Sequence, residues 1–276
     1  MRTALVQLTS SDTPADNLPV TLRHLQDAAD GGAGFVLTPE VTNCVSTSRA
    51  WQHDVLQTEA EDITLAGLRD AVAKTGIWLL IGSLALKTAD PDGRFANRSF
   101  LISPSGEIVA RYDKMHMFDV SVSETETYRE SAGYRPGNTA IWADTPFARI
   151  GLTICYDLRF PQLYRHLAQQ GASVLTVPSA FSPVTGAAHW DSLLRARAIE
   201  NGAWILAPAQ TGLHKATQGK ARQTFGHGYA VAPWGDVIAD CGTQPGVTFF
   251  DLDMALVDTA RQKVPSLTHD RPFNQG

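Results

Sequence analysis

An α/β layered fold with mixed sheets is the architecture this sequence predicts, and three observations carry it. Apolar runs of strand length alternate with segments of helical period in both halves of the chain. In each half, turn-bounded strand pairs that read as hairpins interrupt the alternation, which a purely parallel sheet would not contain. No linker, low-complexity tract or short repeat divides the 276 residues. They read as a single domain, residues 1–276, large enough to bury a core without disulfide or metal. The two halves run through a similar order of strands, helices and hairpin, which points to two sheets packed face to face.

Thr3 to Leu8 is an apolar strand, too short for the core of a signal peptide. A helical pattern through Leu22, Leu25 and Ala28 closes at Gly31-Gly32. Gly34 to Leu37 is a short strand that Pro39 ends, because proline has no N–H for the ladder, and Glu40 stands at its C-terminal end. A helix from Ile63 to Lys74 stops at Gly76, and Ile77 to Ala85 is apolar enough for a central strand. Arg98–Ile102 and Ile108–Tyr112 flank the turn Ser103-Pro104-Ser105-Gly106, and the second strand runs into Asp113-Lys114. Residues 115–138 have no sustained period and read as a long loop, which in a compact domain is more often functional than idle.

Strands at Thr139–Trp142 and Ala148–Ile154 follow, the second broken at Cys155-Tyr156-Asp157 and succeeded, past Pro161, by a helix. Ser173–Val177 is a strand ended by Pro178, and Ser182–Ala187 reads as a loop. The next helix puts Trp190, Leu193, Leu194 and Ala198 on one face, with Asp191 four residues before Arg195. Trp204–Ala207 is a strand and Thr211–Gly226 a second polar loop. A hairpin over Pro233-Trp234-Gly235-Asp236, a strand at Val247–Leu252 and a helix at Met254–Gln262 complete the chain.

With a formal net charge of −5, the chain has no basic surface for nucleic acid, and no apolar run reaches the length of a membrane span. Three widely spaced cysteines, Cys44, Cys155 and Cys241, form no CxxC and no even-numbered framework. A reducing cytoplasm, with no metal and no cofactor, is the expectation; no HExxH or Walker A spacing occurs. Asn97-Arg98-Ser99 matches a glycosylation sequon, a chance match if no secretory signal is present.

The chemistry lies at three strand ends: the carboxylate of Glu40, the ammonium of Lys114 and the thiol of Cys155. In α/β sheets such ends gather on one edge. Each residue alone has an ordinary reading, as a solvated acid, a surface lysine or a buried thiol. Together they make a nucleophilic set. A thiol reacts only as the thiolate, so it needs a base or a cation. Glu40 can take the proton, while Lys114 and the backbone N–H of Tyr156 can form an oxyanion hole for an attacked amide carbonyl. Glu40 would then protonate the leaving amine, and water would hydrolyse the thioester on Cys155.

The segments LTPE around Glu40, RYDKMHMFD around Lys114 and GLTICYDLRFPQLYR around Cys155 resemble the Glu-Lys-Cys signature of the nitrilase, or carbon–nitrogen hydrolase, superfamily. The likeness continues through PSAFSPVTGAAHWDSLLRARAIEN, APAQTGLH and GHGYAVAPWGDVIA and is strongest to the Nit branch. It implies a four-layer αββα sandwich with two mixed sheets, pairing through helices into a homodimer or a higher homo-oligomer. It also implies an amidase for a small carboxylated amide. Deaminated glutathione is foremost; 2-oxo acid amides (an ω-amidase) or N-carbamoyl amino acids are alternatives. A second glutamate of the family matches Glu130 in RESAGYRPG, with the role of positioning the lysine; Glu124 and Glu126 fit less well. Two departures stand out: Gly228 where the family has a serine, and the acidic loop Ser121–Thr127.

Arg159, by analogy with related carbamoylases, is expected to bind a substrate carboxylate unless it pairs with Asp157; Phe181 and His189 are further candidates for substrate binding. His116 and His189 also read as hydrogen-bonded structural residues. Lys215, Lys220 and Arg222 give the second loop a positive excess suited to an acidic substrate. A non-catalytic interaction protein on the same scaffold is the reading of a different class. The intact set Glu40, Lys114 and Cys155, supported by Glu130, speaks against it.

Overall fold

The computed structural model describes residues 1–121 and 127–274. The first half contains β1 (Arg2–Gln7), α1 (Pro14–Asp30), β2 (Phe35–Leu37), α2 (Arg49–Val55), α3 (Ile63–Thr75), β3 (Trp78–Leu86), β4 (Ala96–Ile102), β5 (Ile108–Asp113), β6 (Asp119–Ser121) and β7 (Thr127–Arg129). The second contains β8 (Ile141–Asp144), β9 (Arg149–Leu152), α4 (Pro161–Gln169), β10 (Val174–Thr176), α5 (Pro183–Asn201), β11 (Trp204–Ala207), β12 (Thr211–Leu213), β13 (Gln223–Phe225), β14 (Tyr229–Val231), β15 (Val237–Asp240), β16 (Gly246–Asp251) and α6 (Ala255–Lys263).

Two six-stranded mixed sheets result, in the orders β16-β1-β2-β3-β4-β5 and β15-β14-β11-β10-β9-β8. Each has three adjacent parallel strands at its centre, β1-β2-β3 and β9-β10-β11, with an antiparallel hairpin on one side and one antiparallel strand on the other. The strands alternate faces, so β1 sends Ala4 and Val6 outward against Leu25 and Ala28 of α1 and Leu65, Leu68 and Val72 of α3. Leu5, Leu37, Leu80 and Leu101 point the other way and meet Ile150, Val174 and Leu206 of the second sheet. That second sheet carries Leu163 and Leu167 of α4 and Trp190 and Leu194 of α5. The layers are α, β, β, α.

Local sequence explains the stops. Asp62 caps α3 by accepting from Leu65 N at 2.8 Å, and Gly76 ends it in the left-handed region with φ +71°. One element was not anticipated and three expectations need correction. Residues 49–55 form α2, a helix of seven residues whose N-cap is Ser48 and which is too short to display a period. Within 115–138, β6 pairs with β7, and a 3₁₀ turn at Glu130–Ala132 follows. Pro183–Ala187 is the first part of α5, with Ser182 as N-cap and proline at the position where its missing N–H costs nothing, rather than a loop. Residues 211–226 contain the β12–β13 ladder, held by three residue pairs and too short to alternate visibly. The acidic stretch with Glu124 and Glu126 lies outside the described residues. Among the described residues no helix is long and apolar enough to cross a membrane.

The two sheets are stitched at the C-terminal ends of their central strands. Leu8 bridges Gln210, Gln210 Nε2 donates to Glu40 O at 3.1 Å, and Ala180 N donates to Glu40 Oε2 at 2.9 Å, while within the second sheet Cys155 N donates to Pro178 O at 3.0 Å. The ends that carry Glu40 and Cys155 therefore meet.

Candidate active site

Glu40 is held by a bulge in β3. The β3–β4 register shifts between Ile81 and Leu84, which frees the backbone at Gly82-Ser83. Gly82 N donates to Thr38 Oγ1 at 3.1 Å, Ser83 N to Pro39 O at 3.2 Å, and Ser83 Oγ accepts from Val41 N at 2.7 Å. The turn so cradled puts Val41 at φ +46°, a strained value for a β-branched residue. Cys155 has the same feature, with φ +50° at the start of a 3₁₀ turn, Cys155–Arg159. Strain at Val41, next to Glu40, and at Cys155 is held in place by surrounding bonds.

Asp157 supplies many of those bonds. It is wholly buried and accepts from Ile154 N at 2.9 Å, Tyr112 Oη at 2.7 Å and His116 N at 3.0 Å, with His116 Nδ1 at 2.6 Å. Tyr112 and His116 flank Lys114, so Asp157 locks the lysine's segment to the thiol's turn. Arg197 of α5 adds two bonds from its guanidinium to Leu158 O, at 3.0 and 2.6 Å. Asp157 does not pair with Arg159; its oxygens are occupied by these other donors.

Lys114 is 2% exposed, far from the surface charge its sequence context allowed. Its Nζ lies 2.8 Å from Glu40 Oε1 and 2.9 Å from both Glu130 oxygens. Glu40 Oε2 accepts from Ala180 N at 2.9 Å, and the Cys155 thiol lies close enough to feel the charge of the same carboxylate. Glu130 Oε2 accepts from Phe118 N at 2.6 Å. Burial works against the charge on Glu40, but the Lys114 ammonium and its hydrogen bond outweigh this and hold the carboxyl below the usual range. For Lys114, burial is likewise outweighed, by Glu130 and Glu40, and the ammonium is kept charged. Burial and the Glu40 charge push the Cys155 thiol far up, against the opposing pull of Lys114. The resting set is therefore a carboxylate, an ammonium and a neutral thiol.

Glu40, Lys114, Glu130, Cys155, Tyr156 and Phe181 line one cavity of about 900 Å³. Its outer wall is cationic, with Arg49, Arg129, Lys220 and Arg222. Lys215 is exposed and is not among the lining residues, which corrects the grouping of all three basic residues of the second loop. Arg159 and His189 do not line the cavity either. Arg159 Nη2 is 3.2 Å from Nδ1 of the exposed His189, and its guanidinium lies against the outer side of the Tyr156 and Phe181 rings, 6.0 and 5.8 Å from their centroids. The turn that points Cys155 inward carries Arg159 toward α5 instead.

Two residues of the site carried no signal read from the sequence. Asn97, noted only as a sequon, is 2% exposed and donates Nδ2 to Glu40 Oε1 at 2.9 Å. Ala180 contributes through its backbone alone. The usable signal for Asn97 was its place on the strand paired with the one leading to Lys114. Gly228 is also accounted for: a Cβ there would lie 3.0 Å from Cys241 Sγ and 3.3 Å from Ala207 O and Ala209 N. A serine here would need these neighbours to give by a few tenths of an ångström.

An acid, a cation and a thiol, set on one cavity wall where two sheets of an αββα sandwich meet, describe a hydrolase class, and comparison with known proteins supplies the family. The model of the carbon-nitrogen hydrolase family matches residues 2–262. The deaminated glutathione amidase of Yersinia enterocolitica is 38% identical over 269 residues, covering 97% of this chain and 92% of the relative. The human omega-amidase NIT2 is 32% identical over 270 residues, covering 98% and 95%. The Caenorhabditis elegans NitFhit crystal structure superposes with a TM-score of 0.90 at 35% identity, covering 98% of this chain; the chain spans 65% of that protein. The chain belongs to the carbon–nitrogen hydrolase family, in the Nit branch of the nitrilase superfamily. It is an amidase.

Proposed function

We propose that this amidase cleaves a small amide carrying a carboxylate, deaminated glutathione foremost, through a thioester on Cys155. The observation that carries the reading is a neutral Cys155 thiol on the same cavity as an ionised Glu40 paired with a charged Lys114. A thiol in that state is not pre-ionised, so the base acts during attack. Glu40 takes the Sγ proton as sulfur bonds to the carbonyl carbon. Lys114 Nζ and the Tyr156 N–H, near the start of a 3₁₀ turn where N–H groups lack intrahelical acceptors, receive the oxyanion. Glu40 returns the proton to the departing nitrogen, then draws one from the water that opens the thioester. Glu130 keeps Lys114 in place throughout.

The substrate class is supported by the cationic wall of Arg49, Arg129, Lys220 and Arg222 and by the names of the relatives. An ω-amidase reading draws on the human relative. The deciding experiment compares kcat/KM for deaminated glutathione and 2-oxoglutaramate, with Cys155→Ala as blank. The expected result is at least about tenfold preference for the former, a difference of ~1.4 kcal/mol in transition-state binding, and no turnover in the variant. Turnover surviving Cys155→Ala would refute the thioester route, and the reverse preference would favour the ω-amidase.

A further inference from the structure

We infer that Asn97 is a positioning residue that closes one oxygen of Glu40 and so directs the proton of Cys155 to the other. The inference rests on the proposed role of Glu40 as base and goes beyond it. An ionised carboxylate offers about four acceptor sites, two on each oxygen. At Glu40 Oε1 both are filled, by Lys114 Nζ at 2.8 Å and Asn97 Nδ2 at 2.9 Å. At Oε2 one is filled, by Ala180 N at 2.9 Å. The fourth site, on Oε2, is the one left for the thiol. As sulfur attacks, the S–H bond breaks, the S–C bond forms, and the proton arrives on Oε2.

Asn97 is built for this task at a cost to itself. It lies on β4, its backbone O accepts Lys114 N at 3.0 Å, and its Nδ2 also reaches Glu130 Oε1 at 3.4 Å. One side chain thus touches both carboxylates and fixes the main chain of the lysine between them. Its own Oδ1 is buried with no hydrogen-bond partner among the described residues. The amide cannot be turned over to relieve this, because Oδ1 would then face two carboxylate oxygens. An orphaned acceptor kept in a buried cluster marks a residue retained for the donor at its other end. The charged or titratable groups around Glu40 here are Lys114, Glu130, Cys155, Arg222 and Tyr134, from four segments, Glu130 and Tyr134 sharing one. None of them fills the second Oε1 site.

The test uses Asn97→Ala and the near-isosteric Asn97→Asp in the full-length chain, read in two ways. The first is the pH profile of amide turnover. A donor to the ionised form favours it, so losing the donor raises the pKa of Glu40. The acid limb of kcat/KM should move up by about one pH unit in Asn97→Ala, with kcat down about tenfold and KM little changed. Asn97→Asp keeps the shape but adds a carboxylate, so its limb should move further. The second readout needs no substrate: the rate of Cys155 alkylation by iodoacetamide against pH, followed on the Cys155 peptide. Its rise should shift upward in the same order. Removing Asn97 also removes the orphaned acceptor, so the thermal midpoint should change little. Unchanged acid limbs and alkylation profiles in both variants would overturn the inference, as would an Asn97→Asp variant that matches wild type. If the wild-type chain released no amine from any amide, the amidase reading would fail while alkylation still judged Asn97.

Discussion

Asp157 sits two residues past the thiol and shows how much of a reactive position is made by groups that do no chemistry. Its carboxylate gathers donors from the Cys155 turn and from both sides of Lys114. Asp157→Asn would turn an amide N–H₂ toward groups that are themselves donors, leaving at least one buried donor without an acceptor. The expected loss is about 3 kcal/mol of stability, with kcat falling more than KM rises because the thiol's register with Lys114 loosens. Urea unfolding and steady-state kinetics check both, and a change within ~0.5 kcal/mol would remove Asp157 from this role. At this scale Glu40, Lys114 and Cys155 were legible because each follows an apolar run of strand length. Asn97 and Asp157 were not, because a polar residue inside or just after a strand looks the same whether it faces water or a buried carboxylate.

The elements do two things for the site: they deliver side chains and they let backbones come close. The second is sharpest at Gly82. A Cβ there would lie 2.0 Å from Thr38 O and 2.5 Å from both Pro39 O and Pro178 Cβ. The bulge of β3 is thus where the Glu40 turn and the segment bonded to Cys155 press against one another, and only hydrogen fits. Gly82→Ala is expected to cost at least ~3 kcal/mol or to prevent folding. A variant with wild-type thermal midpoint would show that the two turns can separate. The β12–β13 hairpin does the first job, bringing Arg222 to the cavity wall. Its return is pinned to the start of the chain by Asp12, which accepts from Thr217 N at 2.5 Å and from Thr217 Oγ1 at 3.0 Å. A ladder of three pairs leaves no periodic trace, so that stretch read as loop.

For the whole molecule, one buried histidine links fold to pH. His214 lies between the two halves, with Nδ1 2.8 Å from Ser10 O and Nε2 2.7 Å from Thr224 Oγ1. Burial lowers its pKa to about 4, with Arg222 adding to the effect and the Ser10 carbonyl opposing it. In the unfolded chain the same group titrates near ~6.5. Between those values the unfolded state binds a proton that the folded state refuses, so stability is full above about pH 6.5 and falls as pH drops toward 4. The expected loss is on the order of 3 kcal/mol, visible as a declining urea midpoint. His214→Asn should flatten that decline; an equally steep fall in the variant would assign it to carboxylates.

Most of the order of elements, the duplicated layout and the three groups proposed to react follow from the chain alone, because apolar periodicity and strand-ending residues are local properties. Which residues line the cavity did not. Arg159 is near Cys155 in sequence and Lys215 near Lys220 and Arg222, yet neither lines the cavity, while Asn97, Ala180 and Arg129 come in from other strands and turns. Contacts between residues far apart in sequence depend on how two twisted sheets meet, and on which oxygen of Glu40 each donor can reach. Those distances exist only once the sheets have packed.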